Sequence, residues 1–255
     1  MDLIEKSGTS QRHPWELARF KVVKSIIDKQ VDDYKGKNFL DLGCGDLYFL
    51  DKFSNNKPDA KFYAIDTAFN ESFINSRHNS SVKLYKSLEQ LPENEDLIFD
   101  VVFLMDVIEH IENDIDFLIS LVESRHVSVN TLFLITVPAY QSLFCDHDRF
   151  LGHYRRYTNS TLESTIKKTG LVSLKKGYFF FSLLLPRFLE VYKEKKKPRK
   201  KAISGTGLTY WNSNKFITNT IKNLLLLDFK ISKTIKKLGI TTPGLSNYML
   251  CKKRV

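Results

Sequence analysis

The stretch from Asn38 to Tyr48, N-F-L-D-L-G-C-G-D-L-Y, constrains this chain more than any other. Its opening residues, mostly apolar and ending in Asp41, suit a buried strand, and Gly43 and Gly45 then permit a tight turn and a close approach of backbone to ligand. Asp46 is placed to cap a following helix whose apolar face is Leu47, Phe49, Leu50 and Phe53. A strand, a glycine loop and a helix in that order make a seat for a small polar ligand.

The identity of that ligand turns on the acids. A dinucleotide fingerprint asks for a third small residue where this chain has Tyr48, so a pyrophosphate fits poorly. Asp66 ends the next strand-like run, K-F-Y-A-I-D, and suits ribose hydroxyls in either cofactor class. Asp41 separates the two, because a carboxylate at the end of the first strand repels a pyrophosphate and attracts an ammonium or a sulfonium.

These residues, together with F-D-V-V-F-L-M-D-V-I-E-H from Phe99 to His110, resemble the class I methyltransferases that use S-adenosylmethionine. The resemblance continues through V-P-A-Y (Val137 to Tyr140) and D-H-D-R-F-L-G-H-Y-R-R-Y-T (Asp146 to Thr158), spanning roughly residues 12 to 181. It implies a doubly wound, Rossmann-like α/β fold: a seven-stranded, mostly parallel sheet with an antiparallel last strand. It also implies that S-adenosylmethionine touches Asp41, Gly43, Cys44, Gly45, Asp66, Thr67, Ser87, Leu88 and Asp106, leaving as S-adenosylhomocysteine. The family's third glycine falls at Leu47, which predicts a loop set slightly farther from the cofactor. The subgroup that carries D-V-I-E-H, which this chain resembles from Asp106 to His110, includes envelope-polysaccharide and quinone-type enzymes.

With 255 residues, of which 42% are hydrophobic and 27% charged, the chain suits one domain over residues 1–255. Residues 1–35 are expected as a helical lid and 182–246 as a basic helical insertion before the last strand. Cys44, Cys145 and Cys251 lie far apart with no C-x-x-C pair, so neither a disulfide framework nor a metal site is indicated. The N-terminus shows no export signal, and the longest uncharged apolar run, Lys176 to Arg187, is about half of what a spanning helix needs. A cytoplasmic protein is the expectation, with attachment to the inner membrane face as one of the readings open for the insertion.

Methyl transfer from a sulfonium is a displacement whose donor is already activated, so the protein aligns the acceptor and manages its proton. Histidines suit the second task near neutral pH. His110 ends the fourth strand at the crevice, His147 lies between Asp146 and Asp148, and His153 precedes Y-R-R-Y. Each has a plainer reading: His110 holding a turn, His147 exposed in a loop, His153 capping carbonyls. Trp15 and Arg19 sit on a helical stretch, residues 13–29, that either packs on the sheet edge or lids the pocket. Ala139 to Tyr157 is unperiodic yet aromatic, which predicts a substrate wall carrying Tyr140 and Tyr154, with Arg155 and Arg156 as a bidentate clamp for a carboxylate or phosphate.

Within the insertion, Leu184, Leu185, Phe188, Leu189 and Tyr192 recur at helical spacing before K-E-K-K-K-P-R-K-K, and a helix is expected again over 211–238. Three readings stay open: a solvated surface, docking of 179–201 on an anionic membrane, and nucleic-acid contact, which no recognition motif favours. With a net charge of +10, anionic partners are favoured in each case. The function expected is O-methylation of a small-molecule, glycan or lipid-linked acceptor. Its rivals are methylation of RNA or protein and a cofactor-binding module without turnover.

Overall fold

In a computed structural model of the chain, residues 12–77, 81–92, 97–196 and 211–254 are described. Much of the expected lid before residue 12, and the expected polybasic residues 197–201, lie outside them. In chain order the elements are α1 (Pro14–Ile27), β1 (Asn38–Leu42), α2 (Tyr48–Ser54), β2 (Lys61–Ile65), α3 (Glu71–Ser76), β3 (Val82–Tyr85), β4 (Val101–Met105), α4 (Asp114–Glu123) and β5 (Leu132–Pro138). There follow α5 (Asp146–Phe150), α6 (Asn159–Lys167), β6 (Leu171–Phe179), α7 (Leu184–Lys196), α8 (Lys215–Lys237) and β7 (Ser246–Lys253).

The seven strands form one sheet in the order β3-β2-β1-β4-β5-β7-β6, with β7 antiparallel to both of its neighbours and the other pairings parallel. The order reverses between β1 and β4, and that switch point opens a crevice at the carboxyl ends of the strands. β1 and β4 are central, so both their faces are covered and they read as nearly unbroken apolar runs.

Period-two alternation assigns the side chains to two cores. Phe39 and Phe103 pack on one face with Phe49, Phe53 and Phe62, while Leu40, Leu42, Val102 and Leu104 join the other. Asp41 shares the face of Phe39, which buries its carboxylate beneath the sheet rather than at its tip.

Local chemistry sets the helix starts. α1 opens on a capping box, in which the His13 side chain accepts from the Trp15 N–H at 3.3 Å and the Glu16 carboxylate accepts from the His13 N–H at 3.3 Å. Thr158 caps α6 through the Thr161 N–H at 3.1 Å, as its position predicts. Before α2 the expectation needs correction. The cap position is Leu47, in the left-handed region at φ 65°, while Asp46 bonds the Tyr48 N–H and pairs with Arg12. The insertion divides: α8 packs along α1, and α7 crosses the mouth of the crevice.

Candidate active site

A cavity of about 690 Å³ occupies the crevice, within the size range of small-molecule sites. At one end Gly43 and Gly45, with φ of 72° and 57°, carry the chain around the tip of β1. The Gly43 N–H bonds the Ile65 carbonyl at 2.8 Å and so clamps the loop to β2. Asp66, which directly follows the last residue of β2, accepts from the Gly45 N–H at 2.7 Å and from the Ala68 N–H at 2.9 Å. Each of its oxygens keeps a lone pair for a further donor. Thr67 lines the cavity beside it.

At the tip of β4 Asp106 has φ 57° and is fixed by an ion pair with Arg19 at 2.6 Å and by the Thr136 hydroxyl at 3.2 Å. Arg19 and Trp15 both line the cavity, so α1 covers it, and His13 joins them.

The opposite wall is assembled around Asp148, which is fully buried. One oxygen bonds His153 Nδ1 at 2.8 Å and Arg156 Nε at 2.8 Å, and the other accepts from the Cys145 N–H at 2.9 Å. Burial alone would raise the Asp148 pKa, but the bond from His153 and the charge of Arg156 reverse this and hold it well below the usual carboxylate range. His153 in turn meets His110 edge to face, with ring centroids 4.5 Å apart. His110, His147 and His153 all line the cavity. His147 is pushed down to about 4 by burial and by the nearby Arg187.

Between the two ends lies Glu109, fully buried, with both carboxylate oxygens lacking a hydrogen-bond partner. Burial and the neighbouring Asp106 push its pKa well above the usual range.

Several expected site residues stand elsewhere. Asp41 is buried on the α1 side of the sheet without a hydrogen-bond partner, and burial raises it to about 7. It does not line the cavity. Cys44 is buried and borders only a small side pocket of about 50 Å³ behind the loop. Ser87 heads a single turn of helix, and Leu88 packs on the core, so neither forms part of the wall. Tyr140 stacks on Tyr178 at 5.3 Å and Tyr154 is 51% exposed, both outside the cavity. The two arginines do not form a clamp. Arg155 pairs with Asp114 at 2.8 Å, away from the cavity, whereas Arg156 lines it but is committed to Asp148 and to the Ala139 carbonyl.

Sequence reasoning missed Leu183, Pro186, Arg187 and Glu190, through which the insertion walls the cavity. Arg187 and Glu190, three apart, mark a polar face on α7 and pair at 3.2 Å, but nothing in their spacing says that this face meets the cavity. Glu109 lies within the run from Phe99 to His110 that carries the family resemblance, but sequence reasoning gave it no task.

Residues 15–176 match the family model described as a methyltransferase domain. No curated protein sequence matches the chain. Among solved structures, the [4+2]-cyclase SpnF has a TM-score of 0.54 at 12% identity, covering 98% of this chain and 85% of its own. Coclaurine N-methyltransferase bound to N-methylheliamine and SAH has 0.53 at 14%, covering 92% and 70%. The plantazolicin methyltransferase BpumL, in complex with a triazolic desmethylPZN analog and SAH, has 0.52 at 15%, covering 94% and 84%. At such identities the likeness is one of fold, and fold does not fix the reaction.

Proposed function

From the premise that this chain belongs to the methyltransferase-domain family, we propose that it transfers a methyl group from S-adenosylmethionine to an oxygen of a small-molecule, glycan or lipid-linked acceptor. The residues present fit that cofactor. Asp66 offers two oxygens with spare lone pairs for a diol, and Gly43 and Gly45 keep side chains out of the same end of the cavity. Asp66 and Asp106 give that part of the cavity the negative character that a positively charged ligand needs. The cofactor's sulfonium supplies an electrophilic methyl group.

The observation that carries the choice of oxygen is the meeting of His110 and His153 beside Glu109 on the wall facing the glycine loop. An alcohol or phenol acceptor must shed a proton, and a histidine whose Nδ1–H is held by a carboxylate presents Nε2 as the basic atom. The hydrogen bond to Asp148, itself paired with Arg156, keeps that ring in one orientation.

The lipid-linked class is supported by α7. Its inner face lines the cavity, while Leu185, Phe188, Leu189 and Tyr192 on the outer face are 65%, 56%, 45% and 47% exposed. Lys193, Lys195 and Lys196 follow in its last turn. An interfacial helix with a basic flank has this pattern, and no described helix is long and apolar enough to cross a membrane.

Incubating cell extract with labelled S-adenosylmethionine and the full chain, then following label by mass spectrometry, tests the reading. Label should enter an oxygen of one acceptor, and His153→Ala should slow turnover by roughly 10²–10⁴-fold without weakening cofactor binding. Label on nitrogen, or cofactor binding with no transfer to any extract, would overturn it. Sedimentation with vesicles containing anionic lipid should show salt-sensitive binding that Phe188→Asp weakens. Equal recovery on neutral vesicles would remove the lipid reading.

A further inference from the structure

Glu109, His110 and His153 place one potential ligand atom each within 4.8 Å of one another, and all three line the cavity. Glu109 brings a fully buried carboxylate with neither oxygen hydrogen-bonded. Ionised, a group of that kind is costly unless a cation reaches it. His153 brings a ring whose Nδ1 is bonded to Asp148 at 2.8 Å, an arrangement that leaves Nε2 as the coordinating atom and orients it. Carboxylate-backed histidines are the usual second layer around a metal ion, and Asp148 is itself tied to Arg156.

We infer that Glu109, His110 and His153 form a divalent transition-metal site, of the Zn²⁺ class, on the acceptor wall of the cavity. Two imidazoles and one carboxylate on an open cavity match three-ligand sites that leave a position for water or substrate. That position would hold the acceptor's oxygen, so the inference rests on the reading of this wall as the acceptor end. A metal there would make the bound hydroxyl more acidic, so that its proton passes to water in the open cavity and the oxygen attacks as the anion, and His153 would serve the metal as a ligand instead of as the proton acceptor.

A second cluster, Cys145, Glu190 and Glu194, is less suited. Its groups already have partners: Arg187 donates to the Cys145 sulfur at 2.8 Å and pairs with Glu190, and Glu194 accepts from the Asp146 N–H at 3.0 Å.

The test uses the full chain, stripped with chelator and titrated with Zn²⁺ by calorimetry, with metal content measured after dialysis. One zinc per chain is expected. Glu109→Gln and His153→Ala should each weaken binding by about 100-fold or more, whereas Glu194→Gln should not. Co²⁺ in place of zinc should give visible absorption bands that Glu109→Gln abolishes. Cofactor titration of each variant serves as the check on folding. No stoichiometric zinc in the wild-type chain, or affinity unchanged by Glu109→Gln, would overturn the inference. Should the stripped protein bind S-adenosylmethionine but not zinc, the metal site alone falls. Should it bind zinc but not the cofactor, the methyl-transfer reading falls and the metal site stands.

Discussion

The two ends of the cavity are built on different principles. The cofactor end is made by backbone: two glycines with positive φ, a carbonyl of β2 clamping the loop, and one carboxylate at the next strand tip. Its parts lie within about one strand-helix-strand unit of sequence. The acceptor end is made by side chains from α1, the turn after β4, the loop holding α5, and α7, joined through Asp148 and its partners. A backbone-built end can be damaged one contact at a time, whereas a wall that depends on one buried carboxylate should fail as a unit.

The strongest test of that contrast is Asp148→Ala. The change leaves Arg156 buried and uncompensated and frees His153 and the Cys145 N–H, so unfolding free energy should fall by roughly 3–5 kcal/mol in urea titration. A loss under about 1 kcal/mol, the size of an exposed ion pair, would mean the wall does not depend on this residue.

Asp66→Ala probes the other end. On the proposed reading it removes charge-assisted bonds to the cofactor, so affinity for S-adenosylmethionine and S-adenosylhomocysteine should fall about 10- to 100-fold by calorimetry, while the two backbone N–H groups it frees should cost less stability than Asp148→Ala does. Loss of fold together with affinity would show that the two ends fail alike. Next comes Gly43→Ala. A Cβ there would lie 2.7 Å from Val107 Cγ2, on a backbone at φ 72°, and the expected loss of stability is roughly 1–3 kcal/mol. A neutral outcome would show that Val107 yields and that the loop is less fixed than its bonds imply.

This difference in construction also decides what could be read from sequence. The sheet, the glycine loop, Asp66 and the crevice tip at Asp106 follow from short-range patterns, namely strand periodicity, turn residues and strand ends. Asp41 was misplaced toward the ligand because the strand-end argument ignored the pleat, which turns residue 41 to the face of Phe39. Leu47 was expected to set the loop back. Instead it takes the left-handed conformation that suits glycine and buries its side chain in the core, outside the cavity lining. Arg155 and Arg156 were paired because they are adjacent, but their partners, Asp114 and Asp148, lie on different elements and draw them apart. Arg187 and Glu190 needed knowledge of where α7 crosses, a tertiary fact that no local window contains.

The pH dependence of stability separates the two regions in another way, because there they should respond with opposite sign. Asp41, behind the glycine loop, has a folded-state pKa of about 7, above its unfolded value near 3.9. Its contribution is present below the unfolded value and is lost as pH rises through about 7. His147, on the acceptor wall, has a folded-state pKa of about 4, below its unfolded value near 6.5. Its contribution is present above 6.5 and is lost as pH falls toward about 4. Asp41→Asn should therefore remove a loss of stability that accumulates as pH rises from about 4 to 7, and His147→Gln should remove a gain of opposite sign over about pH 4 to 6.5. Urea midpoints from about pH 4 to 8 check both, and slopes that changed with the same sign in the two variants would show that the two ends of the cavity titrate as one unit.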